Sequence, residues 1–236
     1  MSRLNDPAVV RAQYADETGL RARQALWRDY HGDDPKAALW NAVVAAAPRR
    51  VLEVGGGDGW LAARVQEELG AEVTMLDQSP RMVELAAQRG VRALVGDVQA
   101  LPFDDGSFDT VLACWMLYHV TEVDRGLAEI ARVLEPGGLL IANTNSRRHC
   151  AELFELIEYP QSFRDNVFTA ENGEATLARH FADVSRRDVV GYAVVADRET
   201  LVAYADSVSA PTQPVPEDVP LPFVVHSRGA VFVATR

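Results

Sequence analysis

The chain has 236 residues, of which 48% are hydrophobic and 24% are charged, and its formal net charge is −11. This composition is typical of a globular protein and excludes a disordered chain, and the length suits one α/β domain with additions. Basic residues form only short pairs such as Arg147-Arg148 and Arg186-Arg187, so the acidic balance argues against nucleic acid as a partner.

The two cysteines, Cys114 and Cys150, are too few for a disulfide framework, and no CxxC metal pair is present. The N-terminus lacks a signal-type apolar core, and no stretch approaches the ~18 apolar residues that a membrane span requires. We therefore expect a soluble, cytoplasmic protein without a membrane partner or a bound metal, present as a monomer or homodimer.

Apolar and aromatic residues at helical spacing predict that residues 5–47 form helices. Pro35 fits the first turn of the last of these helices, because its missing N–H is not needed there.

A glycine-rich turn follows the first predicted strand, in the order Glu53-Val54-Gly55-Gly56-Gly57-Asp58-Gly59-Trp60. Glycine tolerates positive φ and lets the backbone approach a ligand, and a turn of this kind before a helix is a common nucleotide-binding device. A dinucleotide fingerprint requires glycine at the sixth position of the turn, where this chain has Trp60. A purely connecting turn is the other interpretation.

Strand and helix patterns then alternate. Strands are predicted at 50–54, 71–76, 91–95, 108–113 and 138–143, with helices near 59–69, 80–89 and 123–134. This alternation predicts a mainly parallel sheet with helices on both faces. Beyond Asn145 the pattern predicts helices near 147–158, 170–181 and 197–207, strands near 184–194 and 223–234, and a proline-rich loop at 211–222.

Two acidic residues follow predicted strands at the same edge of the sheet. Asp77 ends the second strand, where a carboxylate can accept hydrogen bonds from both hydroxyls of a ribose. Its alternative role, capping the next helix, is already available to Ser79 ahead of Pro80. Asp97 and the amide of Val98 suit the amine and a ring nitrogen of adenine, although a simple polar turn explains them equally well.

The motifs EVGGGDG, the acidic strand end, GDVxxLPF, SFDxV and LxPGG occur together in this order over about residues 48–145. As a set they resemble class I S-adenosylmethionine-dependent methyltransferases of the small-molecule type, similar to enzymes of ubiquinone/menaquinone biosynthesis and bacterial natural-product methyltransferases. Gly56-Gly57-Asp58 departs from the cysteine-glycine-threonine that the family often has.

The resemblance implies a doubly wound, Rossmann-like α/β fold. Its three-layer αβα architecture has seven strands in the order 3-2-1-4-5-7-6, the last of them antiparallel. It also implies that residues 1–47 form a helical lid on a methyltransferase domain at 48–236, and that the cofactor lies over the carboxyl ends of the first strands.

The resemblance and the residue types together imply two sets of site residues, one that binds the cofactor and one that faces the substrate. The expected cofactor-binding residues are Tyr14, Glu53, Gly55, Gly56, Gly57, Asp77, Gln78, Asp97, Val98 and Cys114. The expected substrate-facing residues are Tyr30, Trp115, Tyr118, His119 and Asn145. Gln78 and Leu101 are expected on the adenine faces. His119 is the candidate general base, because its pKa suits proton removal near neutrality; a structural hydrogen-bonding role is its alternative.

The predicted reaction is transfer of a methyl group from S-adenosylmethionine to an oxygen, nitrogen or carbon atom of a small-molecule metabolite, leaving S-adenosylhomocysteine and needing no metal. One alternative is a catalytically silent or repurposed S-adenosylmethionine-binding protein, since cofactor motifs report binding and not chemistry. A nicotinamide-dependent oxidoreductase is disfavoured by Trp60.

Overall fold

The computed structural model describes residues 5–6, 9–10, 18–161, 168–208 and 210–236. Its strands are β1 (Tyr30–Gly32), β2 (Arg50–Val54), β3 (Glu72–Asp77), β4 (Arg92–Val95), β5 (Phe108–Cys114), β6 (Leu134–Asn145), β7 (Ala182–Val195) and β8 (Phe223–Thr235). Its helices are α1 (Thr18–Ala25), α2 (Pro35–Ala46), α3 (Trp60–Leu69), α4 (Pro80–Gln88), α5 (Val123–Val133), α6 (Ala151–Leu156), α7 (Gly173–Leu177) and α8 (Arg198–Ser207). A 3₁₀ turn spans Leu117–His119.

The strands form one mixed sheet in the order β1-β7-β8-β6-β5-β2-β3-β4. Strands β4, β3, β2, β5 and β6 run parallel, whereas β8 pairs antiparallel with both β6 and β7. The predicted order of the seven strands, including the antiparallel last strand, is confirmed. Val54 at the end of β2 is paired with Leu76 on one side and Ala113 on the other, so the glycine turn begins between two neighbouring strand ends.

The N-terminal segment contains one element that the sequence did not predict. Tyr30–Gly32 is a strand, not a helix, and pairs antiparallel with β7 at residues 191–193. The described part of the sheet therefore has eight strands, and the prediction of a wholly helical 5–47 was wrong at this point. β1 covers the outer edge of β7 at these three positions and satisfies backbone groups there.

Local sequence sets the helix starts as predicted. Asp34 accepts a hydrogen bond from the N–H of Lys36 at 2.8 Å and Pro35 occupies the first turn of α2. Ser79 accepts from the N–H of Met82 at 3.4 Å, directly before Pro80 and α4. These caps satisfy backbone donors that have no partner inside the helix.

Two buried clusters occupy the two faces of the sheet, which gives the predicted three-layer αβα arrangement. One contains Leu39 and Val43 of α2 and Leu61 and Val65 of α3. The other contains Leu127, Ile130 and Val133 of α5 with Leu177 of α7. Helices on both faces bury the inner parallel strands, so β3 has five consecutive buried residues.

A third buried cluster lies at the antiparallel end of the molecule. It joins Leu26 to residues of α6, α8 and β8, among them Leu153, Leu201 and Val225. Helices α6 and α7 are shorter than predicted, and α6 follows Cys150, whose φ is +53°. Within the described ranges, no helix combines the length and apolarity needed to cross a bilayer.

Candidate functional site

The turn between β2 and α3 depends on glycine for two different reasons. Gly57 has φ +58°, and a Cβ added there would meet no atom within 4 Å. Gly59 has φ +74°, and a Cβ there would lie 2.7 Å from the Cβ of Ala86 in α4. Gly59 therefore permits close packing of the turn on a helix, whereas Gly57 leaves open space beside the backbone.

The other two glycines of the turn face protein atoms. A Cβ on Gly56 would approach the side chain of Met75 to 2.6 Å, and a Cβ on Gly55 would approach that of Met116 to 2.7 Å. Gly55 also lines the cavity described next, but Gly56 is not among its lining residues. Gly56 thus permits close packing of the turn on Met75, and its expected cofactor contact stays a prediction.

A cavity of about 700 Å³ opens at the carboxyl ends of β2, β3, β4 and β5. Eight residues of the two expected sets line it: Gly55, Gly57, Asp77, Gln78, Asp97, Val98, Trp115 and His119. Further lining residues that the sequence did not indicate include Val10, Arg81, Glu84, Gln99, Met116 and Thr121. The parallel strand ends and the loops that follow them bring these residues together.

Asp77 is buried at the floor of this cavity with 8% of its surface exposed. Its Oδ2 accepts a hydrogen bond from the N–H of Gly57 at 3.0 Å, and its Oδ1 accepts one from the N–H of Ser79 at 2.8 Å. Desolvation raises the pKa of the Asp77 carboxyl, and these backbone donors oppose that shift. The carboxylate is held in one orientation, and its lone pairs outnumber these backbone donors, so it can accept a further hydrogen bond.

Asp97 is held by a residue that the sequence analysis missed. The Gln99 amide nitrogen donates to both Asp97 oxygens, at 3.1 and 3.0 Å, and the Gln99 Oε1 accepts from the N–H of Glu122 at 2.9 Å. The backbone N–H of Gln99 also donates to Asp97, at 2.9 Å. An Asp side chain commonly accepts from the backbone N–H two residues later and so forms a turn. The two-residue separation of Asp97 and Gln99 therefore could have indicated this contact from sequence.

Glu53 lies beneath the glycine turn and is 2% exposed. Its Oε2 has no hydrogen-bond partner. Burial raises the pKa of Glu53 to about 8, and the negative charges of Asp77 and Asp58 add to the shift. Desolvation, with a further contribution from Glu53, also raises the pKa of the Cys114 thiol well above its usual value, which keeps the thiol protonated.

Trp115 and His119 follow β5 at the cavity rim. Trp115 has φ +52°, and its N–H donates to Oδ1 of Asn143 at 3.0 Å. The His119 ring lies 4.5 Å from the Tyr118 ring, centroid to centroid, and the backbone N–H of His119 donates to the Met116 carbonyl at 2.9 Å. His119 is therefore carried by a hydrogen-bonded 3₁₀ turn directly at the cavity.

Other expected residues lie elsewhere. Tyr30 is in β1 at the far edge of the sheet, where its hydroxyl donates to the Asp33 carbonyl at 2.9 Å. Glu53, Cys114, Tyr118 and Asn145 are also not among the residues that line the cavity. Leu101 is buried in the core, with its N–H bonded to Glu129 at 2.8 Å. Tyr14 lies outside the described residues.

The charges around the cavity are mostly negative. Asp77, Glu84 and Asp97 line it together with one guanidinium, that of Arg81, which pairs with Glu84 at 3.2 Å. Such a lining favours a ligand that carries positive charge and hydroxyl donors, and it disfavours a pyrophosphate. Across the described ranges, no group of three or more His, Cys, Asp or Glu residues is arranged to hold a metal ion.

The sheet order and the position of the cavity define a Rossmann-like methyltransferase fold. Residues 52–142 match the family described as "Methyltransferase domain". The resemblance read from the motifs is thereby confirmed.

Relatives extend this match along the chain. An uncharacterized methyltransferase of Mycobacterium tuberculosis is 36% identical over 162 residues, which are 66% of this chain and 62% of that protein. The match thus spans somewhat less than two thirds of the relative's length. A demethylmenaquinone methyltransferase of Thermus thermophilus is 38% identical over 102 residues, 40% of this chain and 46% of that protein.

Solved structures share the fold. Phosphoethanolamine N-methyltransferase 2 of Haemonchus contortus, in complex with S-adenosyl-L-methionine, has a TM-score of 0.64 and 18% identity, covering 100% of this chain and 60% of that one. An S-adenosylmethionine-dependent methyltransferase of Thermotoga maritima has a TM-score of 0.55 and 23% identity, covering 84% and 88% of the two chains. At these identities the likeness concerns the fold alone.

Proposed function

We propose that this protein is an S-adenosylmethionine-dependent methyltransferase that acts on a small-molecule metabolite. The observation that carries the proposal is the pairing of Asp77 with the open glycine turn. Asp77 lies at the floor of the cavity, bonded to the Gly57 N–H, and no atom fills the space where a Gly57 side chain would be. The methyltransferase domain match at residues 52–142 supports the same function.

The cavity residues fit this cofactor by their chemistry. Asp77 would accept the ribose hydroxyls, Asp97 and the Val98 amide would hold the adenine, and Gly55 and Gly57 would adjoin the methionine portion. Glu53, with its unpartnered buried oxygen, is a candidate acceptor for a cationic group or an ordered water beneath the turn. The excess of carboxylates around the cavity suits a ligand with a positive charge.

When bound, S-adenosylmethionine would supply an electrophilic methyl group: the acceptor atom would bond to the methyl carbon in line as its bond to sulfur breaks, leaving S-adenosylhomocysteine. The protein's part is then mainly to align the acceptor and exclude water. His119, at the rim of the cavity, would accept a proton from an acceptor that arrives as a hydroxyl or amine. An acceptor that arrives as an anion would need no base.

The test is binding followed by transfer. We expect calorimetry to show binding of S-adenosylmethionine and S-adenosylhomocysteine, and we expect cofactor carrying a labelled methyl group to label one member of a metabolite panel that includes demethylated quinones. Binding without transfer to any acceptor would favour the repurposed or silent alternative. Binding of a nicotinamide cofactor instead would overturn the proposal.

We also propose that the protein is located in the cytoplasm. In addition, we propose that the first residues of the chain form a lid over the cavity. Val10 is 2% exposed and lines the cavity, and the Asn5 carbonyl accepts from the Thr121 hydroxyl at 3.2 Å. The proposed lid excludes residues 18–47, because β1 pairs with β7 and Leu39 and Val43 of α2 pack in the core. Hydrogen exchange around residues 5–10 should slow when S-adenosylhomocysteine is added, while exchange in α2 should not change; equal slowing in both would contradict a lid.

A further inference from the structure

Five non-glycine residues of the described chain have positive φ: Ala47, Trp115, Cys150, Glu158 and Asp183. Of these, Trp115 lines the main cavity. A bulky side chain is disfavoured in the left-handed region and persists there only when its surroundings hold it. The conformation of Trp115 therefore requires a structural cause, and its place in the cavity wall suggests a functional one.

The cause is a buried asparagine on the neighbouring strand. The N–H of Trp115 donates to two acceptors of the same residue, the carbonyl of Asn143 at 3.2 Å and its side-chain Oδ1 at 3.0 Å. Asn143 is 2% exposed and is paired with Cys114 across the β5–β6 ladder. The carbonyl and the side-chain amide of Asn143 together hold the Trp115 N–H one residue beyond the end of β5, where φ becomes positive.

Trp115 lines the cavity together with Gly55 and Gly57 of the glycine turn. The half-buried Trp115 packs against the core cluster on the α2 and α3 side, and its neighbour Met116 contacts Gly55. Among the described lining residues, Trp115 and His119 carry the aromatic rings. The face of an indole attracts a cation within ~6 Å of its centroid, and a neutral group gains no comparable attraction.

We propose that Asn143 is a positioning residue, which holds Trp115 in its left-handed conformation so that the indole recognises the positive charge of the cofactor. This rests on the proposed function, namely that the cavity binds S-adenosylmethionine. The charged cofactor and its neutral product differ in the sulfonium, so the ratio of their affinities reports on the groups that attract this charge and not on the fold as a whole, and a change on replacing Trp115 isolates the indole.

The experiment measures both affinities by calorimetry on the full chain, for the wild type and for Trp115→Leu, Asn143→Ala and the double variant. We expect each single variant to lower the preference for S-adenosylmethionine over S-adenosylhomocysteine about 3- to 10-fold, with product affinity nearly unchanged. The double variant should lose no more than Trp115→Leu alone, because without the indole Asn143 has nothing to position.

Thr144→Val is the matched control. Thr144 is the next residue of β6, equally buried at 2% exposure, and its hydroxyl donates to the Phe168 carbonyl at 3.2 Å. Its loss should lower stability without changing the affinity ratio. If Asn143→Ala does not fold, Asn143→Ser, whose shorter side chain does not reach the Trp115 N–H, takes its place.

An unchanged ratio in the Asn143 variants, or an equal fall in both affinities, would show that Asn143 is only structural and overturn the proposal. Additive losses in the double variant would also overturn it. If the wild type binds neither ligand, the proposed function itself fails, which is a different result from a variant that binds both without discrimination.

Discussion

The two ends of the sheet are built differently. At the β4-β3-β2-β5 end the strands are short and parallel, and β3 is buried over five consecutive residues. At the β8-β7-β1 end the strands are antiparallel, and from Val189 to Ala193 buried and exposed residues of β7 alternate, leaving Val190 52% exposed. Parallel strands direct all their carboxyl ends, and the loops that follow, to one edge. The cavity lies at that edge.

The parallel and antiparallel ends of the sheet also differ in their buried ionisable groups. The parallel end encloses two carboxylic acids, Glu53 and Asp77, whose pKa values burial raises. The antiparallel end holds His149 against the Trp27 ring, and desolvation lowers the pKa of His149 to about 4. Perturbed acids beside a cavity indicate a binding site, whereas a neutral histidine between helices and β8 is a packing element. The following experiments test this division, from the largest expected effect to the smallest.

Asp77→Ala should remove most of the cofactor affinity. Two hydrogen bonds to a charged acceptor are together worth about 3–6 kcal/mol, or about 10²–10⁴-fold in Kd. The variant also frees the Gly57 and Ser79 amides, so a thermal melt must accompany the calorimetry. The control is Asp188→Ala at the antiparallel end, where Asp188 accepts from Arg186 at 2.6 Å; its affinity should match the wild type. If Asp77→Ala and Asp188→Ala bind the cofactor with similar affinity, the proposed difference between the two ends of the sheet is wrong.

His119→Asn should lower turnover about 10²–10⁴-fold if the imidazole removes a proton during transfer. Cofactor affinity should stay close to that of the wild type, because proton removal concerns the acceptor. Turnover is followed with labelled cofactor, once an acceptor is known, at several pH values. A well-folded variant with full turnover across that range would leave catalysis to alignment and desolvation alone.

Opposite pH dependence should distinguish the two ends. The folded-state pKa of Glu53 is raised from 4.5 to about 8, so its contribution to stability is present below pH 4.5 and is lost as pH rises toward 8. The folded-state pKa of His149 is lowered from 6.5 to about 4, so its contribution is present above pH 6.5 and is lost as pH falls toward 4. The pKa shift of Glu53 corresponds to a change in the free energy of unfolding of at most about 5 kcal/mol, and that of His149 to at most about 3 kcal/mol.

Urea unfolding at a series of pH values measures both effects. Glu53→Gln should flatten the decline above pH 4.5, and His149→Gln should flatten the decline below pH 6.5. Both groups contribute between pH 4.5 and 6.5, so Glu53→Gln should leave the shape of the profile unchanged below pH 4.5, and His149→Gln should leave it unchanged above pH 6.5. If Glu53→Gln changes neither limb, the buried carboxyl is not protonated in the folded protein.

Gly57→Val and Gly70→Val form a matched pair with the smallest expected effect. Both glycines have positive φ, +58° and +68°, and neither would place a Cβ within 4 Å of another atom. Each substitution should therefore cost similar stability, about 1–2 kcal/mol. Only Gly57 lines the cavity, so only Gly57→Val should also weaken cofactor binding, by about 1–3 kcal/mol. Equal affinities in the two variants would make the turn purely structural.

Local sequence was enough to determine the parallel half of this protein. The spacing of Gly55, Gly57 and Asp77 predicted a turn and an acid at adjoining strand ends, and the structure joins Gly57 to Asp77 by a hydrogen bond. Ser79 with Pro80 and Asp34 with Pro35 predicted two helix starts. These signals are readable because backbone conformation at a turn or cap depends on residues a few positions apart.

Tertiary structure alone decided the rest. Tyr30–Gly32 became a strand because β7 offers an edge to pair with, and this moved Tyr30 away from the cavity. The carboxamide of Asn143 reaches the Trp115 N–H across 28 positions of sequence, and Gln99 links Asp97 to Glu122. The core packs Gly56 against Met75. Such contacts depend on which strands become neighbours and how closely they approach, and the pattern of residues along the chain does not encode that distance.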